Sequence, residues 1–131
     1  MKFMLMMHAP RGNGDWDVAQ WKPEDIKAMV AFMHDLNKDL QDHGELVGAE
    51  GLTSPAAARL VRAGKDARPV VTDGPFAETK EFLAGYWLVE CPTAERAYEI
   101  AAKASSAPGP GGTPMNFPVE VRAVGTAPAQ T

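Results

Sequence analysis

The chain opens on a run of apolar residues, Phe3 through Met7, that reads as a strand over residues 2–8. A run without polar alternation suits a central strand buried on both faces. The rhythm then changes. Between Pro23 and His43, Ile26, Met29, Val30, Met33, Leu36 and Leu40 recur at spacings of three and four, which gathers them on one stripe of a helix. Pro23 suits the first helical position, Glu24 and Asp25 suit the positive end of the helix dipole, and His43-Gly44 suits the stop. Residues 45–52 read as a strand whose internal glycines, Gly48 and Gly51, mark an edge or a bulge.

Ala58–Arg62 and Arg68–Thr72 read as a hairpin joined at Gly64-Lys65-Asp66. Ala84–Cys91 is a further strand, carrying Tyr86, Trp87, Leu88 and Val89. Thr93 fits an N-cap for a short helix, Ala94–Ala104, that buries Ala97, Ile100, Ala101 and Ala104. The last strand, Val119–Val124, sets Val119, Val121 and Ala123 against Glu120, Arg122 and Val124. Two long connections remain. Residues 9–22 hold Pro10, Gly12, Asn13 and Gly14 together with Trp16 and Trp21, and residues 105–118 hold four prolines and three glycines. Long loops in compact domains are usually functional or mobile.

Strand, helix, strand, hairpin, strand, helix, strand is the split βαβ order of a ferredoxin-like domain with an inserted hairpin. The expected fold is therefore α+β, one domain over residues 1–124 with a frayed tail at 125–131. Two helices on one face of the antiparallel sheet leave the other face bare and apolar. Such a face needs a partner, and a second copy packed sheet to sheet is the simplest one.

Composition narrows the function classes. A chain of 131 residues with 45% apolar residues can build a core without staples. The net charge is −4 and the basic residues are scattered, so the concentrated positive face that grips phosphates is missing, which argues against nucleic acid. No apolar run approaches the ~20 residues of a membrane span, and Met1–Met7 is too short for a signal peptide. Cys91 is the single cysteine and forms no internal disulfide, so a cytoplasmic setting is expected. No His-x-x-x-His or Cys-x-x-Cys spacing points to a metal, Gly109-Pro110-Gly111-Gly112 lacks the Lys-Ser/Thr of a phosphate loop, and no Gly-x-Ser-x-Gly elbow occurs.

The densest chemistry lies in Val71-Thr72-Asp73-Gly74-Pro75-Phe76-Ala77-Glu78-Thr79-Lys80-Glu81, where a hydrophobic strand runs into a Gly-Pro turn loaded with acids and a base. Loops on rigid scaffolds are where such groups act. In the split βαβ topology the end of the first strand lies beside the start of the third. That would bring His8 near this loop despite a separation of 65 residues. A His beside an Asp is held in one tautomer and made a better base, so His8 and Asp73 form the candidate catalytic pair. Asp73 equally suits a turn-maker that bonds the backbone two residues on. Lys80 could hold an anion, with Glu78 and Glu81 beside it; the plainer reading is a solvated loop. Phe76 would plug the core or touch ligand. Arg11 could grip a carboxylate and Trp16, with Trp21, could wall a pocket, or the tryptophans could pack at an interface. His34 and His43 read as solvated or structural.

The turn motif, with Phe82-Leu83-Ala84-Gly85-Tyr86-Trp87 after it, resembles the DGPF branch of the YCII-related family. The likeness runs from the opening strand Met1–His8 through the turn to the closing strand Pro118–Val124. It implies a small bacterial ferredoxin-like protein that forms a dimeric α/β barrel. Some YCII-related members carry a His–Asp pair regarded as an active site, and many DGPF-type members have an aromatic residue where His8 stands, which makes its role particular to this subgroup. The leading expectation from these residues is a pocket between helices, sheet rim and loops for a small organic molecule, aromatic or carboxylated, and, if the protein is an enzyme, acid/base chemistry of the lyase, isomerase or dehalogenase type without metal or cofactor, to which the resemblance lends support. The alternative is a non-enzymatic regulatory or binding module, which the resemblance implies would be a companion of an extracytoplasmic-function sigma factor.

Overall fold

A computed structural model describes residues 1–10, 18–74 and 80–126, apart from the side chain of Ala19. The opening strand, β1 (Lys2–Pro10), is longer than its apolar run and alternates: Phe3, Leu5, Met7 and Ala9 are buried, while Met4, Met6 and His8 are half-buried. Burial on both faces is thus corrected to burial on one, because the two helices described pack on a single side.

Next come α1 (Pro23–Asp42), β2 (Leu46–Gly51), β3 (Arg59–Ala63), β4 (Pro69–Asp73), β5 (Glu81–Glu90), α2 (Ala94–Ser105) and β6 (Val119–Ala123). Four strands form one sheet in the order β2-β5-β1-β6, and β3 with β4 forms a separate two-stranded ribbon. Neighbours in the main sheet are antiparallel throughout. Each βαβ pair is split by one strand between its members, which is the expected ferredoxin-like arrangement with its inserted hairpin.

The core lies between sheet and helices. Phe3, Leu5 and Met7 of β1 meet Trp87 and Val89 of β5, Leu36 and Leu40 of α1, and Ala97, Ile100, Ala101 and Ala104 of α2. Each fully buried Leu or Val here contributes roughly 1.5–3 kcal/mol. The α1 stripe is packed mainly in its C-terminal half, and Val30 is exposed. Trp87 is buried with its polar edge satisfied: Nε1 donates to Asn37 Oδ1 at 2.8 Å, tying β5 to α1. Thr93 caps α2 as expected, its Oγ1 accepting from the Arg96 amide at 3.2 Å.

At the end of α1, Gly44 takes φ of +69°, the Gly44 amide donates to the Gln41 carbonyl and the Glu45 amide to Leu40. This glycine-terminated pair of bonds closes the helix and sends the chain directly into β2. Residues 105–118 form a self-bonded loop: Ser105 Oγ donates to the Phe117 carbonyl at 2.6 Å, the Met115 amide to Ala107 and the Asn116 amide to Ser105. Ala107 is fully buried within it.

Candidate functional site

Alternation along β1 sends His8 to the face opposite the helices, together with Met4 and Met6. A pocket between helices and sheet therefore does not include it, since Leu5 and Met7 fill that side. The register places His8 across from Leu83, Met6 across from Tyr86 and Met4 across from Leu88. On the other flank Met6 faces Glu120 and Met4 faces Arg122. The face left open among the described residues is thus an apolar strip of Met, Leu and Tyr bordered by charge.

His8 stands at the rim of this strip, beside an irregularity. Met7 pairs with Gly85 but His8 pairs with Leu83, so Ala84 is an extra residue bulged out of β5. Bulges recur where a side chain is re-aimed near a functional surface. Gly85 is required there for space: a Cβ on it would lie 2.9 Å from the Glu50 carbonyl oxygen and 3.3 Å from Gly51 Cα.

The end of β1 does lie beside the start of β5, as topology anticipates. The pairs His8–Leu83, Ala9–Phe82 and Pro10–Glu81 bring His8 to the strand that leaves the turn motif. The two residues of the expected catalytic pair have different neighbours, however. His8 Nε2 is 3.0 Å from Glu120 Oε1 on β6. Asp73 ends β4, where its Oδ1 lies 3.8 Å from Arg59 Nε and its side chain is 97% exposed. Asp73 belongs to the ribbon rather than to the main sheet. Lys80 is exposed and has no ion-pair partner among the described residues. Arg11, Trp16, Phe76 and Glu78 lie outside the described residues, and Trp21 is buried.

Glu120 was not singled out from sequence. Its signal was present in the alternation of β6, but only the register against β1 shows that it meets His8.

A groove of about 330 Å³ adjoins the same rim, lined by Leu52 to Pro55, Ala58, Phe82 and Leu83. Its walls are apolar apart from the hydroxyls of Thr53 and Ser54, and Ser54 Oγ is engaged by the Ala56 amide. Leu83, the register partner of His8, is one of the residues lining the groove.

A second charged cluster lies at the opposite end of the sheet. Arg96 holds Glu45 with two bonds, Nε to Oε2 and Nη2 to Oε1, each 2.8 Å, and reaches Glu99 at 3.1 Å through Nη1. Hydrogen bonding from Arg96 holds the buried Glu45 carboxyl below its usual range against the opposing effect of burial. The same bond to Glu45 raises Arg96 above its ordinary value. Burial pushes the nearby Cys91 thiol up, and the charge of Glu45 adds to this. Cys91 is packed in the core, and the cluster fastens α2 to the residue that leads into β2. Among the described residues no group of three or more His, Cys, Asp or Glu could hold a metal ion, and no helix is long and apolar enough to cross a membrane.

The described residues thus form an α+β sandwich with a histidine at the rim of one sheet face. The YCII-related domain matches residues 1–110, and the chain belongs to that family. It is also 30% identical over 97 residues to an uncharacterised protein of Rhizobium meliloti, a match covering 72% of this chain and 76% of that one.

Proposed function

We propose that the protein binds a small organic molecule at the rim of the open sheet face and transfers protons on it through His8, as a cofactor-free lyase, isomerase or dehalogenase-like enzyme. One observation carries this reading: an imidazole with 28% of its side chain exposed stands at the edge of an apolar strip, next to a groove. Histidine is the side chain best matched to proton transfer near neutral pH. An apolar groove with few polar groups suits an aromatic or otherwise flat ligand.

Asp73 and Lys80 stand at the two ends of the turn motif. With Arg11, Trp16, Phe76 and Glu78 they are the substrate-contacting candidates, and Asp73 stays a candidate for the chemistry itself. We place a second copy of the chain on the apolar strip, sheet to sheet, which yields a dimeric barrel with His8 near one mouth. The turn motif supports membership of the DGPF branch.

The experiment is a thermal-shift screen of small aromatic and hydroxylated acids, followed by turnover assays on each hit. Turnover by the wild type, with binding but no turnover in His8→Ala, supports acid/base catalysis. Turnover that survives in His8→Ala overturns it.

One feature favours a second reading, a non-enzymatic binding or regulatory module. The β3–β4 ribbon exposes Val61, Val70 and Val71, and its strand edges offer main-chain groups to another protein. A sigma factor is one such partner. Binding without turnover in both wild type and His8→Ala would favour this reading.

A further inference from the structure

Strand β6 alternates Val119 and Val121, which pack on the core, with Glu120 and Arg122 on the open face. Its register sets Glu120 opposite Met6, hence one diagonal step from His8. Diagonal neighbours in an antiparallel pair are within reach of long side chains, and here Glu120 Oε1 lies 3.0 Å from His8 Nε2. The backbone holds this geometry from both sides: the His8 amide donates to the Pro118 carbonyl at 3.1 Å, and on the other flank the β5 bulge fixes Leu83 opposite His8.

The chemistry of the contact selects a proton position. An ionised carboxylate is acceptor-only, so Nε2 must carry the hydrogen and donate it. In the neutral ring Nδ1 then keeps its lone pair.

We propose that Glu120 is a positioning residue that locks His8 in the Nε2–H tautomer and so makes Nδ1 the nitrogen that accepts a substrate proton. The inference rests on the acid/base reading of His8. In the step, the lone pair on Nδ1 forms a bond to a proton of a substrate C–H or O–H group. The electron pair of that broken bond stays on the substrate, and the ring becomes an imidazolium with hydrogen on both nitrogens. Return of the proton from Nδ1 to another substrate atom completes an isomerisation with no oxidant or reductant.

The test is the ¹⁵N spectrum of the histidine rings in the full chain at alkaline pH, where imidazoles are neutral. The His8 signals are assigned by their loss in His8→Ala. Wild type should show a single tautomer, with Nδ1 at the unprotonated shift and Nε2 at the protonated one. In Glu120→Ala the two shifts should move toward each other as the tautomers mix. Glu120→Gln should retain the wild-type pattern, because its amide oxygen still accepts from Nε2. Unchanged backbone amide spectra serve as the check on folding.

An Nδ1–H tautomer in wild type, or His8 shifts unmoved in Glu120→Ala, overturns the proposal. A locked tautomer combined with turnover that survives in His8→Ala would retain the role of Glu120 and remove only the catalytic reading, so the two failures are separable.

Discussion

Replacing Glu45 with Gln tests the bond between α2 and the sheet, because it removes a charge while nearly preserving shape. The Glu45 side chain is 10% exposed and receives two hydrogen bonds from Arg96. Stranding one member of a fully buried ion pair costs about 3–5 kcal/mol. Arg96 is less extreme: its side chain is 32% exposed and keeps Glu99 at 3.1 Å. Water and Glu99 offset part of the loss, which leaves about 2 kcal/mol. For a chain of 131 residues this corresponds to a fall in Tm of about 8 °C.

The pH dependence gives the sharper readout. The Glu45 carboxyl titrates below its ordinary value of 4.5 in the folded protein, so the unfolded chain takes up its proton first as the solution is acidified. The stabilisation is complete above the unfolded value and disappears as pH falls through the folded one. Thermal melts of wild type and Glu45→Gln should thus differ fully at neutral pH and converge in acid, where the protonated Glu45 resembles Gln. A neutral-pH difference under about 2 °C, or one that persists undiminished in acid, would refute the reasoning.

Gly85→Ala should cost about 1–3 kcal/mol through overpacking, since the new methyl group would press on the Glu50 carbonyl. The same change should speed hydrogen exchange at the Leu52 amide, which donates to Ala84 at 2.8 Å; unchanged exchange there would count against the close approach of β2. Met6→Glu places a charge in the middle of the open face, between Tyr86 and Glu120. Light scattering should show the wild type as a dimer and this variant as a monomer, and a monomeric wild type would overturn the sheet-to-sheet assembly.

The order of elements was readable because each segment carried its own period. The α1 stripe, the Thr93 cap and the alternation of β6 are local signals, and local signals survive folding. Gly48 was rightly read as marking an edge or a bulge, for β2 is an edge strand and Val47 is the extra residue between Leu46 and Gly48 in its pairing with β5. The opening strand misled because Met4 and Met6 are apolar on the face without helices; hydrophobicity records that a surface wants cover, not which element covers it. The strand expected from Ala84 begins three residues earlier, at Glu81, because Glu81 to Leu83 read as the end of the charged turn while they pair with the end of β1.

The site was legible only by half. Strand adjacency foretold that His8 would neighbour the chain leaving the turn motif, since the split βαβ order dictates it. The carboxylate that meets the ring depends on register, and no residue type announces a register. Asp73 drew attention through its turn motif, whereas Glu120 sat in an unremarkable alternating strand and is the one at hydrogen-bond distance.

The ribbon formed by β3 and β4 adds no strand to the main sheet, where β2 and β5 are already antiparallel neighbours. Chain geometry would let a short reverse turn join them directly. Strands β3 and β4 pair only with each other, so the ribbon can lengthen or shorten without removing a ladder from the layers beneath. Such a detour lets one scaffold try out new specificities while its foundations stay constant.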